Sequence, residues 1–309
     1  MYYIHKGSNM KKYIPIIAII LIFIVGVGIL AYPLVSSVVN NIESRKIAEE
    51  QIISAQNMDE GKRDELFKQA DDYNKNLLST VILSDPFDAE TYNKISAKYK
   101  ETFDVDGNGL IGYVEIPKIN VFLPVYHGTS EEVLSRGAGH LNNTSLPVGG
   151  KSTHSVISAH SAFPTETFFD YLTDLKEGDR FYIHVLNEVL TYEVDQIKIV
   201  LPNETRDLYV VEGQDYVTLL TCTPYSINTH RLLVRGKRVI EEKPDEVVIH
   251  NISTDSGNIY LMGYKINYFY AAIGIAGFIA AVAMVVFLIT RLNKRKKTAH
   301  LKKDGDGDG

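Results

Sequence analysis

Two stretches of the chain are apolar and uncharged throughout, and they flank a more polar middle. The first runs from Ile14 to Tyr32 and the second from Tyr268 to Thr290. Each reaches the roughly 20 residues that a helix needs to cross a bilayer. The pattern therefore predicts membrane helices at residues 13–35 and 268–290.

Basic residues lie on the terminal side of both apolar runs. Lys6, Lys11 and Lys12 precede the first run, and five lysines and arginines between Arg291 and Lys297 follow the second. Because cytoplasmic flanks of membrane helices are enriched in Lys and Arg, we predict a two-pass protein of the cell membrane. Its short N-terminus (1–12) and its basic, then acidic tail (291–309) are cytoplasmic in this prediction. The middle of the chain, residues 36–267, is extracellular.

Each apolar run also has another interpretation. The first could be a cleaved signal peptide, but its core exceeds the roughly 7–15 apolar residues usual for one, and no Ala-x-Ala-like site follows it. The second run with its basic tail could be a cell-wall sorting signal. That signal requires an LPxTG-like pentapeptide just upstream, and Asn251 to Asn267 contains none. The sequence favours two uncleaved anchors.

Between the two runs, the sequence pattern changes near residue 105. Residues 39–79 are polar and free of Pro, which predicts one or two amphipathic helices packed on the adjacent domain. Their apolar positions at helical spacing are Leu66, Ala70, Tyr73 and Leu77. From Ile111 onward, short β-rich runs alternate with Gly, Pro and Asn, a pattern typical of an all-β barrel or sandwich. These runs are 111–116, 120–126, 154–159, 180–186, 190–200, 216–221 and 230–240. Residues 241–267 are predicted to be a linker.

Charge and cysteine content narrow the possible functions. The net charge is −6, so no global basic field indicates nucleic-acid binding. The chain has a single cysteine, which excludes an intramolecular disulfide. In an oxidising exterior a lone thiol is a liability unless it is buried or has a chemical role.

That cysteine, Cys222, follows the strand-like run 216–221 and precedes the turn signal Thr223-Pro224. A cysteine nucleophile needs a proton-transfer partner and a group that stabilises the oxyanion. His160 ends another strand-like run, and Arg231 begins a strand nine residues after Cys222, so a hairpin-like return would place its guanidinium beside the thiol. The simpler interpretation is a buried inert cysteine, a satisfied histidine and an exposed strand arginine.

The residues around Cys222 carry a family resemblance. Thr218 to Cys222 (TLLTC) fits the TLxTC signature of sortases, and Asn228 to Gly236 (NTHRLLVRG) continues the match. The chain order His, Cys, Arg and its spacing are also similar to that family, over roughly residues 80–240. Within it the chain most resembles class C, the pilin-polymerising enzymes, which also carry two membrane segments. Residues 112–119 (GYVEIPKI) and 126–130 (YHGTS) support that class.

The resemblance implies a fold and an activity. It implies a mainly β chain, with a closed sortase-type barrel and short helices over residues 106–240. An extracellular helical stalk over residues 36–105, with a lid at 84–88, precedes the barrel. The catalytic residues become His160, Cys222 and Arg231. The enzyme would cleave an LPxTG-like sorting signal between Thr and Gly and transfer the acyl group to a lysine amine of another pilin subunit, without a cofactor.

Two alternatives to pilus assembly stay open. One is a housekeeping sortase that anchors surface proteins to cell-wall peptidoglycan. The other is a non-catalytic, membrane-tethered β-domain with an inert Cys222. The chain also departs from class C in one place, since Ser161-Ala162-Phe163-Pro164 follows His160 where that class usually has an Arg-Gly-Leu-Pro-like stretch. Substrate preference is the property that this departure affects.

Two short motifs remain. Asp85, Pro86 and Phe87 resemble the class C lid, in which the acid pairs with the catalytic arginine and the aromatic ring covers the thiol. From residue type alone, Asp85 could instead cap a helix over residues 87–99 with Pro86 at its first position. The second motif fits the EF-hand pattern at Asp104, Asp106, Asn108 and Glu115. The β-rich segment after it contradicts the exit helix of an EF-hand, so we predict a turn without a metal.

Overall fold

The fold is described from a computed structural model. It covers residues 57–77, 84–88, 97–105, 107–163 and 167–240, helical residues 21–29, strand residues 258–261 and 264–267, and a few isolated positions. The chain divides into two units. One comprises residues 35–256, and the other comprises residues 1–34 together with 257–309.

Residues 110–239 form a closed eight-stranded barrel. The strands are β1 (Leu110–Ile116), β2 (Val121–His127), β3 (Ala138–His140), β4 (Thr153–Ser158), β5 (Arg180–Val185), β6 (Glu188–Val200), β7 (Asp215–Thr223) and β8 (His230–Val239). Their order around the barrel is β1-β2-β3-β4-β7-β8-β6-β5. The pairing of Tyr113 to Glu115 on β1 with Tyr182 to His184 on β5 closes it. The predicted closed barrel is confirmed, and the sandwich is excluded.

Burial along the strands follows from this closure. All seven residues of β1 are buried, whereas buried and partly exposed residues alternate along the first half of β6. Continuous burial arises where loops and helices cover the outer face of a barrel strand, and alternation arises where that face meets water. Large aromatic side chains are prominent in the core, and the fully buried ones are Phe103, Phe122, Phe169, Phe181 and Tyr192.

In the described part of residues 57–240, two α-helices precede the barrel, α1 (Glu60–Lys75) and α2 (Ala97–Glu101). A short third α-helix, α3 (Glu131–Leu134), connects β2 to β3. The carboxylate of Asp59 accepts a hydrogen bond from the Lys62 amide at the start of α1 and so caps the helix. Leu66 and Ala70 are buried, as the helical spacing predicts. The side-chain amide of Asn74 forms two hydrogen bonds with the backbone of Leu146, of 3.2 and 2.7 Å. The helix therefore packs against the domain.

Several features differ from the sequence predictions or fall outside them. Strand β3 was not predicted because it has only three residues. Within the predicted linker 241–267, β9 (Asn258–Leu261) and β10 (Tyr264–Asn267) form an antiparallel hairpin. The predicted membrane helices 13–35 and 268–290 lie largely outside the described residues. Among the residues that are described, no helix combines the length and the apolar character needed to span a membrane.

Candidate active site

Cys222 and Arg231 lie directly opposite each other on neighbouring antiparallel strands. The register of β7 and β8 pairs Cys222 with Arg231. Side chains of directly opposed residues share one face of a sheet, with Cβ atoms about 5 Å apart. Both residues are nearly buried, with 8% and 9% of their surfaces exposed. The predicted return of the guanidinium to the thiol is therefore present in the fold.

His160 reaches the same end of the barrel through a parallel strand pair. β4 and β7 run parallel, with Ser158 opposite Leu220, so His160, just past the end of β4, comes level with Cys222 near the end of β7. Hydrogen bonds continue this pairing past the end of β4. The Thr221 hydroxyl donates to the Ala159 carbonyl at 2.8 Å, and the Ser161 hydroxyl donates to the Cys222 carbonyl at 2.8 Å. The backbone of the histidine is thus held against that of the cysteine.

The His160 ring differs from the other histidines of the barrel. Its Nε2 atom is buried and has no hydrogen-bond partner among the described residues. Glu131 Oε2 lies 3.5 Å from this atom, and the Glu131 side chain is 72% exposed. Burial lowers the pKa of His160, and the Glu131 carboxylate opposes that shift. By contrast, four buried histidines each use a ring nitrogen in a hydrogen bond: His127, His140, His154 and His184.

The Arg231 guanidinium is bonded on three sides. Its Nε and Nη2 atoms donate to the two carboxylate oxygens of Asp85 at 2.8 and 2.6 Å. Its Nη1 atom donates to the carbonyls of Asn228 and His230, both at 3.0 Å. This two-pronged pairing with a carboxylate is the strong, directional form of an arginine ion pair. The acid predicted to pair with Arg231 does so.

Asp85 belongs to a turn formed by residues 84–88. Its carboxylate also accepts a 3.4 Å hydrogen bond from the Phe87 amide, and its carbonyl accepts one from the Asp88 amide. Asp88 is not helical, so no helix begins at Pro86, and the next described helix is α2. The capped helix over residues 87–99 is therefore not formed at its predicted start.

The Phe87 ring lies between the histidine and the arginine. Its centroid is 5.6 Å from that of the His160 ring and 5.2 Å from the guanidinium carbon of Arg231. The ring also packs on an apolar cluster consisting of Leu141, Val156, Leu208, Leu220 and Leu233. Leu220 and Leu233 share the sheet face of Cys222 and Arg231, because side chains two residues apart on a strand point to the same side. The turn 84–88 is therefore seated on the face that carries the thiol.

These surroundings keep the thiol protonated. The pKa of Cys222 is raised to about 11, chiefly by burial; the Arg231 guanidinium opposes this shift and the Asp85 carboxylate adds to it. A thiol with this pKa is almost entirely un-ionised at neutral pH and is a poor nucleophile. With the turn 84–88 in place, the cysteine, histidine and arginine lie together, but the thiol is not ionised.

The EF-hand-like motif forms a turn. The Asp104 carboxylate accepts hydrogen bonds from the amides of Gly107 and Gly109, both at 3.0 Å. Glu115 lies in β1, where its carboxylate contacts the buried His184 ring at 2.7 Å. Asp106 falls outside the described residues. Because Glu115 lies in a strand and its carboxylate contacts a histidine, it is not placed as the closing ligand of a calcium loop.

The chain matches known proteins over this same region. The family model for the sortase domain matches residues 114–239. Sortase D of Bacillus subtilis is 31% identical over 146 residues, which cover 46% of this chain and 71% of that protein. The chain belongs to the sortase family. It is a cysteine transpeptidase.

Solved sortase structures are more similar than these sequence relatives. Sortase C-1 of Streptococcus pneumoniae is 49% identical, and the alignment covers 63% of this chain and 99% of the sortase C-1 chain, with a TM-score of 0.59. The pilus-related sortase C of Group B Streptococcus is 45% identical and covers 64% of this chain and 96% of its own, with a TM-score of 0.56. Sortase A of Streptococcus agalactiae is 28% identical over 131 residues, 41% of this chain and 52% of that protein.

The sequence did not indicate several contacts around the histidine of this sortase. Phe163 stacks on the His160 ring, with centroids 5.4 Å apart and an interplanar angle of 16°. The Asp170 carboxylate accepts a 2.7 Å hydrogen bond from the Ala162 amide, and Glu131 lies near Nε2. Glu131 is distant in sequence from His160, Asp170 follows it across a short loop, and no local pattern marks either residue. The one available signal was the departure from the class C pattern at residues 161–164.

A cleft of about 600 Å³ lies elsewhere, between α1 and the barrel. It is lined on one side by Asp71, Asn74 and Lys75, and on the other by residues that include Thr153 and Tyr209. None of the three residues assigned to catalysis lines it. This space therefore does not coincide with the chemistry, and the thiol, the imidazole and the guanidinium define the site.

Proposed function

We propose that this sortase polymerises pilins. It cleaves an LPxTG-like sorting signal between Thr and Gly and joins the threonine carbonyl to a lysine amine of the next subunit. The observation that carries the proposal is the turn 84–88, whose Asp85 is bonded to Arg231 beside Cys222. Similarity to sortase C-1 of Streptococcus pneumoniae and to a pilus-related sortase C supports the same class.

The assigned roles follow from what each group can do. The Cys222 thiolate attacks the threonine carbonyl, and Arg231 donates hydrogen bonds to the oxyanion. When the Thr–Gly bond breaks, His160 gives its proton to the departing glycine amine and a thioester remains on Cys222. The lysine amine then attacks the thioester, His160 accepts the proton from that amine, and the thiolate leaves. One amide bond is exchanged for another, so no cofactor or nucleotide is consumed.

The turn 84–88 acts as a lid in this proposal. In the closed arrangement Asp85 occupies Nε and Nη2 of Arg231, and the carbonyls of Asn228 and His230 occupy Nη1. A guanidinium has five N–H donors, so little capacity is left for an oxyanion. A carboxylate also carries the same negative charge as the oxyanion that would take its place. The sortase is therefore competent only when Asp85 leaves, and the apparent affinity for substrate falls by the fraction of time the lid is closed.

We place the catalytic domain outside the cell between two membrane anchors, residues 13–35 and 268–290, with both termini cytoplasmic. The support is the charge asymmetry around the two apolar runs. Pilin subunits that bear a sorting signal and an acceptor lysine are then presented on the same side of the membrane as Cys222.

One experiment separates this function from its alternatives. The full chain in detergent micelles is incubated with a pilin that carries an LPxTG-like signal, and the products are resolved on a denaturing gel. A covalent ladder that the Cys222→Ala variant does not form supports polymerisation. Transfer only to a peptidoglycan-type amine, without a ladder, would indicate cell-wall anchoring instead. The absence of any thioester or product in a lid-opened variant would indicate a non-catalytic domain.

A further inference from the structure

The chain turns sharply just after His160, at a residue poorly suited to the turn. Ala162 has a φ of +61°, in the left-handed region. A Cβ atom crowds the following carbonyl in this region, so residues other than Gly, Asn and Asp seldom adopt it. The turn brings Phe163 back onto the catalytic ring, where the two rings stack at 5.4 Å. A strained backbone residue thus lies between the histidine and the ring that packs on it.

The carboxylate of Asp170 stabilises this turn. Its Oδ1 atom accepts a hydrogen bond from the Ala162 amide at 2.7 Å, and the Phe169 amide donates to the His160 carbonyl at 3.0 Å. A hydrogen bond from an amide to an ionised carboxylate is about twice as strong as one between neutral groups. Burial raises the pKa of Asp170 to about 6, which still leaves the group mostly ionised at neutral pH. Two successive residues therefore fix the two ends of the turn.

We propose that Asp170 is a positioning residue for His160. Its carboxylate holds Ala162 in the left-handed turn that stacks Phe163 on the imidazole. The inference rests on the proposed role of His160 in proton transfer. It assigns to residues 161–163, where the chain departs from the class C pattern, the task of fixing the plane of the catalytic ring.

The need for such a device follows from the other contacts of the ring. No hydrogen bond from a described residue reaches Nε2, and Glu131 at 3.5 Å is largely exposed, so its pull is screened by solvent. Phe87 also packs on the ring, but that contact is lost whenever the lid opens for catalysis. Phe163 also packs on the ring, and it belongs to the segment of His160 rather than to the lid, so its contact does not depend on the lid residues. The turn at Ala162 therefore decides where the imidazole points during the reaction.

A double-mutant cycle tests this coupling, because glycine adopts the turn without strain. Asp170→Ala is measured with Ala162 and with Ala162→Gly, always in the full chain carrying Asp85→Ala and Phe87→Ala so that the lid is open. With Ala162, we expect kcat for cleavage of an LPxTG-like peptide to fall about tenfold with KM nearly unchanged, as for a misplaced catalytic group. In the Ala162→Gly background, we expect a loss of only about twofold, since interacting positions are not additive.

A second measurement is independent of turnover. Ring signals of ¹³C-labelled histidine are recorded, with that of His160 assigned by its loss in His160→Gln. Asp170→Ala should shift or broaden this signal, and Ala162→Gly should reverse the change. Asp170→Asn, which keeps an acceptor oxygen, should leave both the signal and kcat close to the reference. Asp174→Ala removes an exposed acid from the same segment and serves as the matched control, with no change expected.

The outcomes separate this inference from the proposed function. Equal loss of kcat in the Ala162 and Ala162→Gly backgrounds, or an unchanged His160 signal in Asp170→Ala, would overturn the positioning role. If the reference protein cleaves no peptide but the ring signal responds as expected, Asp170 positions the ring and the proposed function fails. Should Asp170→Ala melt below the assay temperature, the cycle is repeated with Asp170→Ser, whose shorter side chain also cannot reach the Ala162 amide.

Discussion

Opening the lid should activate the thiol of Cys222 as well as uncover it. Replacing Asp85 and Phe87 by Ala removes a carboxylate that raises the pKa of Cys222 and a ring that packs on His160 and Arg231. The Arg231 guanidinium remains and favours the thiolate. We therefore expect the pKa of Cys222 to fall from about 11 toward its ordinary value of 9.0.

The size of the effect can be worked out from that change. At about pH 8, a fall of about two pKa units raises the thiolate fraction about 10²-fold. The nucleophilicity of a thiolate declines as its pKa falls, with a Brønsted coefficient of about 0.4–0.5, so about a tenfold gain in rate remains. Removal of the Phe87 ring should also increase the access of the reagent to the thiol. We expect iodoacetamide to alkylate Cys222 at least about tenfold faster in the double variant.

The single cysteine makes the assay unambiguous, because any label on the chain is on Cys222. Alkylation rates are measured from about pH 6 to pH 10 by intact mass, alongside a melting curve. Asp85→Asn keeps the shape of the side chain and removes its charge. It therefore separates the effect of the carboxylate charge on the thiol from the effect of covering the thiol. Asp88→Ala changes an exposed acid in the same turn and is the control. An unchanged rate in the double variant, despite a lower melting temperature, would refute the lid and leave the turn a purely structural element.

Four further predictions follow from the same contacts. Cys222→Ala should abolish transfer and thioester formation while the melting temperature stays within a few degrees, and a persisting pilin ladder would remove the cysteine from the mechanism. Arg231→Lys should lower the rate of transfer by at least about 10²-fold, comparable to the loss of an oxyanion donor, and near-normal rates would mean that simple positive charge suffices. Because the folded-state pKa of Asp170 is raised from 3.8 to about 6, the stability it contributes is present at low pH and is lost as pH rises through about 6. Between about pH 4 and pH 7, the free energy of unfolding should therefore fall by at most about 3 kcal/mol because of Asp170, and this fall should be absent in Asp170→Asn. Denaturant unfolding measures it, and the same pH dependence in both proteins would contradict the prediction. A reporter fused after Gly309 should be cytoplasmic and one inserted near Lys243 extracellular, and an extracellular C-terminal fusion would refute the two-anchor topology.

The strands could be predicted because their signal is local. Seven of the eight barrel strands lie within or beside runs of alternating or β-branched residues. The pairing of Cys222 with Arg231 was also accessible, because a hairpin joins residues close in sequence. The hairpin of β9 and β10 was missed because the segment resembles the linker around it. Whether the strands formed a barrel or a sandwich was not decided by the pattern, since closure depends on pairs such as Glu115 with Tyr182, far apart in sequence.

The contacts that tune the site could not be predicted from the sequence, because no local pattern marks the residues that make them. Asp170 and Glu131 reach the histidine segment across loops, and their residue types are common at exposed positions. The pairing of Asp85 with Arg231 spans 146 residues and was expected only from the family resemblance. Local patterns identify which side chains can do chemistry. The assembly of those side chains depends on parallel pairing and loop packing, which carry no periodic signal.

The way Arg231 is held explains why lysine should not replace it. Its Nη1 atom donates to the carbonyls of Asn228 and His230, and this fixes the plane of the guanidinium whether or not Asp85 is present. Nε and Nη2 then point to the place that the Asp85 carboxylate occupies in the closed state. An oxyanion formed at the thiol would find the same two donors already oriented. A lysine ammonium has one nitrogen, so it cannot bond the loop carbonyls and present a two-pronged donor at the same time. Arg235 offers no substitute, because it lies opposite Thr218 and is paired with Asp195.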